Sequence, residues 1–141
     1  MHFHFKYRSL LLVLSVLLLT ACAMLQPAPT PVSENPAVLA LLEQARADAA
    51  QNKLQSAAGT VERALRIEPR NSWLWQELAR LHLAQGDPAQ AESLAARSNT
   101  WAGSDRTLRA ANWRLISEAR AARGDAAGAQ AAEARAAALE R

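Results

Sequence analysis

The chain has 141 residues, room for a single domain, and 16 basic against 13 acidic residues for a formal charge of +3. Lys6 and Arg8 precede Cys22 and no acidic residue does, so the part after residue 21 is nearly neutral, with 14 basic and 13 acidic side chains. Its Arg residues alternate with Glu and Asp along the chain, which excludes the clustered basic footprint of a nucleic-acid binder. Cys22 is the one cysteine, which excludes an internal disulfide.

The N-terminus reads as a targeting segment. Met1 to Arg8 carry two positive charges, and Ser9 to Leu19 form an apolar run of 11 residues. A bilayer span takes about 20 residues, so this run is too short to cross and has the length of a signal-peptide core. It ends Leu19-Thr20-Ala21-Cys22, which resembles the lipobox of bacterial lipoproteins. That resemblance implies cleavage after Ala21, a diacylglycerol on the Cys22 thiol and a further acyl chain on the new amine. These chains are the one prosthetic group expected; no cofactor and no metal are. Two or more acyl chains make a stable membrane anchor. Ala23, where an Asp would favour inner-membrane retention, implies the periplasmic face of the outer membrane.

Residues 22–36 read as a flexible linker. Pro27, Pro29, Pro31 and Pro36 lie in it. Alternating prolines favour extended polyproline-like backbone at about 3.1 Å per residue, so fourteen residues reach on the order of 40 Å.

Six helices follow, and no strand pattern. Asn35-Pro36 opens the first, about 36–50, as a cap residue followed by proline in the first turn, with Leu39, Leu41, Leu42 and Ala45 on its apolar side. Gln51-Asn52 makes a turn, Asn tolerating the left-handed conformation. The second helix, about 53–67, repeats Leu54, Ala57, Val61, Ala64 and Leu65 at helical spacing and ends before Pro69. The third, about 72–85, runs from Asn71-Ser72 to Gly86. Asp87-Pro88 starts the fourth, which extends to about Ser98, with Gln90 placed for a capping-box-like pair. Asn99 to Ser104 reads as a longer connection. The fifth helix, about 105–123, is capped by Ser104 or Asp105, and the sixth covers about 126–140.

Two of these stretches repeat each other. Trp75, Leu78, Ala79, Gly86, Asp87 and Ala91 recur as Trp113, Ile116, Ser117, Gly124, Asp125 and Ala129, each offset by 38 residues. A fainter copy lies 34 residues upstream, at Leu41, Ala45, Asn52 and Ala57. A period near 34 built from paired helices marks stacked helical hairpins, and the pattern resembles the tetratricopeptide repeat (TPR). The resemblance implies an all-α solenoid over residues 37–141, with repeats at about 38–71, 72–105 and 110–141. Within it the glycines permit the turns and the small residues let facing helices approach. Trp75 and Trp113 fill the space between hairpins, a burial that stabilises by a few kcal/mol per indole. His82, where the family often has Tyr, is expected to be packed and hydrogen-bonded. The Ala-rich last helix serves as its own cap or as a docking face.

Catalysis finds no support. After residue 21 the chain has one His and neither a Gly-rich phosphate loop nor a Ser/His/Asp arrangement. Recognition of a protein remains. In TPR proteins the first helix of each hairpin lines a concave groove. Carried over by the offsets, that groove would present Leu39, Leu42 and Arg46, then Trp73, Gln76, Arg80 and Leu83, then Arg114, Glu118 and Ala121. Trp73 has no place in the repeat core, so beside Arg80 it has the composition of an interface hot spot; packing on the neighbouring hairpin is the alternative. Trp101 is placed to plug the gap left by the four extra residues of the long connection. The Lys/Asn arrangement of the chaperone-binding TPR clamp is absent.

Lipobox, proline tether and about three repeats together resemble the LpoP-type TPR lipoproteins that stimulate class A penicillin-binding proteins. That resemblance implies a periplasmic module without chemistry of its own, binding the synthase and favouring its active conformation. A pilotin-like lipoprotein for secretin and type IV pilus assembly, or a general envelope-assembly scaffold, would fit the same layout.

Overall fold

A computed structural model describes residues 32–141; the signal segment, Cys22 and the linker as far as residue 31 lie outside the described residues. Six helices follow one another: α1 (Pro36–Ala50), α2 (Leu54–Ile67), α3 (Ser72–Ala84), α4 (Pro88–Trp101), α5 (Arg106–Ala122) and α6 (Ala126–Glu140). Consecutive helices pack as antiparallel neighbours, and α3 also touches α5 directly. Among the described residues there is no strand.

The turns inside the three hairpins are one structure written three times. Asn52, Gly86 and Gly124 stand at φ 59°, 79° and 80°. Around each, the same pair of backbone hydrogen bonds closes the helix. Asp87 N–H donates to His82 C=O and Gly86 N–H to Leu83 C=O, with equivalents at Lys53/Asp48 and Asn52/Ala49, and at Asp125/Arg120 and Gly124/Ala121. This is the Schellman closure, and it needs a residue that accepts positive φ. Side-chain caps start the helices after the second and third of these turns, and α5 as well: Asp87 accepts from Gln90 N–H, Asp125 from Gly128 N–H and Asp105 from Leu108 N–H, whereas α2 starts at Lys53 without one. Asn35 and Asn71 do the same for α1 and α3. Asp105, not Ser104, therefore caps α5.

Small residues lie where helices cross. Ala79, Ala91 and Ala129 are buried, and Ser117, half-buried, donates its hydroxyl to Ala129 C=O at 2.9 Å. Leu74, Leu108, Val38 and Val61 are the largest fully enclosed apolar side chains. In α1 the buried stripe is Val38, Leu42 and Ala45, while Leu39 is left 40% exposed. The segment Val38-Leu39-Ala40-Leu41-Leu42 carries several overlapping helical stripes, and contact with α2 selects one of them.

The connection expected over Asn99–Ser104 is shorter than its sequence suggests. Helix α4 continues to Trp101, and the turn is made by Ala102, buried, and Gly103 at φ 54°. Inward-facing polar side chains hold the extra turn of helix. Ser98 Oγ donates to Ser72 C=O at 2.8 Å, and Asn99 accepts from Asn112 at 2.9 Å. Trp101, as the last residue of α4, points outward and is 40% exposed, so it plugs no gap.

Both ends of the solenoid are fastened. Val32–Asn35, assigned to the linker by sequence, lie on the α2–α3 loop. Ser33 Oγ donates to Glu68 at 2.6 Å, and Asn71 Nδ2 donates to Val32 C=O at 2.8 Å. At the other end Arg106 donates to Leu139 C=O at 2.9 Å and Arg141 C=O at 2.8 Å. Those carbonyls have no partner inside the helix, and a cation suits the negative end of the helix dipole. Helix α6 buries Ala129, Ala132 and Ala136, and its outward face carries no large apolar side chain. That matches a capping helix rather than a docking face.

Candidate partner-binding groove

A concavity of about 610 Å³ lies between α3 and α5. Ala49 and Leu54 from the first hairpin close it at one side, and Leu81, Leu83 and Leu115 add apolar wall. The polar lining comes from the first helices of two hairpins: Gln76, Glu77 and Arg80 on α3, Arg114 and Glu118 on α5. Their spacing explains the arrangement. Residues 76, 80 and 83, like 111, 114, 115 and 118, fall at i, i+3, i+4 and i+7, so each helix turns one stripe toward the gap.

The six residues singled out by sequence separate into three groups. Arg80 and Glu118 stand in the groove, exposed, and enter no ion pair among the described residues. Gln76 and Arg114 line the groove but have work inside the fold. Gln76 is only 6% exposed and donates to Asn112 Oδ1 at 3.0 Å. Arg114 reaches a Glu140 carboxylate oxygen at 2.6 Å and comes within 3.7 Å of Glu133, tying α5 to α6. The hydrogen bond and charge of Glu140 hold its guanidinium above the ordinary arginine value. Arg46 and Trp73 are not walls of this cavity. Arg46 pairs with Glu43 on the exposed face of α1 at 3.0 Å. Trp73, half-buried, borders a separate cleft beside the α2–α3 loop. The groove therefore presents one unpaired cation, Arg80, and two free carboxylates, Glu77 and Glu118, beside apolar lining.

Behind the groove, a buried polar chain joins its two walls. Asn112 on α5 is fully enclosed; it accepts from Gln76 and donates to Ser98 Oγ at 2.7 Å and to Asn99 Oδ1 at 2.9 Å. Ser98 passes the connection to the backbone of Ser72. A buried amide costs free energy unless its groups are paired; both ends of the Asn112 amide are, while the Nδ2 of Asn99 is buried without a partner, and the chain specifies how α3, α4 and α5 meet. The sequence held no signal for it: Gln76, Ser98 and Asn112 come from three helices and read separately as surface residues.

The repeat tryptophans carry a further partner. Arg97 on α4 lies 4.4 Å over the Trp75 ring and Arg135 on α6 lies 4.5 Å over the Trp113 ring. Both cations follow their tryptophan by 22 residues, and Arg63 follows Leu41 by the same interval. That regularity was available in the sequence. The indole N–H of Trp75 donates to Pro69 C=O at 2.9 Å, so both repeat tryptophans serve the packing of hairpins, half-buried beneath arginines. His82 is packed but not hydrogen-bonded through Nδ1, which is buried without a partner and lies 3.7 Å from Asp87.

The Tetratricopeptide repeat family model matches residues 41–111, half of the chain. The chain belongs to the tetratricopeptide-repeat family. The solved globular C-terminal domain of P. aeruginosa LpoP is 42% identical to this TPR chain, superposes with a TM-score of 0.72, and matches over 74% of this chain and 98% of its own. No curated protein matches the TPR chain. Its described part is thus an LpoP-like TPR domain.

Proposed function

We propose that the protein is an outer-membrane lipoprotein, anchored through acyl chains on Cys22, whose TPR groove binds and activates a class A penicillin-binding protein in peptidoglycan synthesis. The observation that carries this reading is the 42% identity to the LpoP domain over 74% of this chain. The lipobox Leu19-Thr20-Ala21-Cys22 supports the anchor. The protein acts as a binding module and supplies no reacting group. Its contribution is differential affinity: a partner with two conformations shifts toward the one the groove binds better, by no more than the difference in binding free energy.

Arg80, Glu77 and Glu118 select a partner surface with charges in the opposite order, and Leu83 and Leu115 supply apolar contact. In-cell photo-crosslinking from positions 80 and 118 tests the reading. Capture of a bifunctional peptidoglycan synthase at both is expected, together with loss of labelled palmitate from Cys22→Ala. A secretin subunit in the band, or no product from either site, would overturn it.

A further inference from the structure

The exposed large apolar side chains of the described residues are not scattered. Leu39, 40% exposed, is in the first four residues of α1; Ile67, 45%, ends α2; Trp101, 40%, ends α4. In antiparallel hairpins the start of α1 and the ends of α2 and α4 lie at one end of the stack. Trp73, near the start of α3, is at that end too. Arg70 reaches from the α2–α3 loop over the Trp101 ring at 5.3 Å. Arg70 and Trp73 also wall a cleft of about 500 Å³ with Val32 and Pro69. The opposite end, with the turns at Asn52, Gly86 and Gly124, has no such residue among those described.

This is also the end at which the chain from Cys22 joins the fold, because Asn71 holds Val32 there. Ten residue steps lead from Cys22 to Val32, and extended backbone spans at most about 35 Å over that length. We infer that this end of the solenoid is a lipid-docking surface: Trp101, Trp73, Ile67 and Leu39 lie in the headgroup region of the membrane that holds the anchor, with Arg70 on a lipid phosphate. The inference rests on the anchor at Cys22. Its chemistry is that of interfacial residues. Indoles settle at the headgroup level, where one edge is wet and the other apolar, and a guanidinium pairs with phosphate. No helix among the described residues is long and apolar enough to cross the membrane, so the contact is one of surface docking. A short tether makes weak docking effective, since it holds the surface near the bilayer at high local concentration. The groove lies between the bodies of α3 and α5 and stays open when this end is docked.

The test uses the full-length lipidated protein in vesicles of phosphatidylethanolamine and phosphatidylglycerol, some prepared with bromine on the upper acyl chain. Flotation reports the anchor, and quenching of tryptophan emission by brominated lipid reports the docking. Trp73 and Trp101 are the two of the four tryptophans in the docking surface; Trp75 is at the same end but tied to Pro69 and covered by Arg97, so a loss approaching half of the emission is expected. The loss should disappear in Trp73→Phe combined with Trp101→Phe, with unchanged helical circular dichroism showing that the fold is intact, and persist in Trp75→Phe. Protein that floats with unquenched emission overturns the docking surface and leaves the anchor standing. Protein that does not float overturns both. Floating protein whose position 101 photo-crosslinks to another polypeptide instead of lipid assigns the patch to a protein partner and overturns the lipid reading.

Discussion

Asn112→Ala is the sharpest test of how the groove is held. Asn112 is fully buried and its amide serves three partners: Gln76, Ser98 and Asn99. Truncation leaves the Gln76 amide, itself only 6% exposed, without its acceptor. A buried group left unpaired costs about 1–3 kcal/mol, and lost packing around the missing amide adds to it, so a destabilisation of about 2–4 kcal/mol is expected. For a domain of this size each kcal/mol lowers Tm by roughly 4–8 °C. Urea unfolding at equilibrium, followed by circular dichroism, measures the loss, and the double-mutant cycle with Gln76→Ala should return a coupling of about 1–2 kcal/mol. The cycle matters because α3 and α5, which this contact joins, are the two walls of the groove. A single mutant within about 0.5 kcal/mol of wild type, the range of an ordinary surface substitution, would refute the buried chain as the tie between them.

Three further perturbations follow from the repeat geometry. Gly86→Ala and Gly124→Ala should each cost about 1–2 kcal/mol, because φ near 80° strains an L side chain, whereas Asn52→Gly should be close to neutral; chemical denaturation of the three variants compares them directly. Arg97→Ala should cost about 0.5–1 kcal/mol through loss of the cation over Trp75 and should shift the indole emission, while Arg97→Lys recovers only part of it. Arg106→Ala releases the carbonyls at the end of α6, and faster amide exchange confined to that helix, with about 1 kcal/mol lost, is the expected result.

Most of the fold was legible before any coordinates. The helix of residues 36–50, bounded by Asn35-Pro36 and Asn52, and that of 126–140, following Gly124-Asp125, have the expected limits, because caps and left-handed turns are local chemistry written in one or two residues. Ala79, Ala91 and Ala129 were readable as crossing points because a repeat aligns each with its copy. The end of α4 was not: Asn99 and Gly103 read as loop residues, and only Asn112 on another helix shows why Asn99 is helical. The groove follows the same division. Arg80 and Glu118 could be placed by the offset of 38, but nothing along the chain distinguished Gln76, which faces Asn112, from a residue free to meet a partner.

The sequence by itself determined the period, the turns inside the three hairpins and the helix limits other than the end of α4, because each depends on residues close together in the chain. Which arginines are free and which are tied, where Trp101 points, how Asn112 joins three helices, and that Leu39, Ile67 and Trp101 gather at the end where the chain enters the fold were decided by tertiary structure alone. Those properties depend on what lies across the gap between helices, and residues as far apart as 70 and 101 have no shared pattern until packing brings them together.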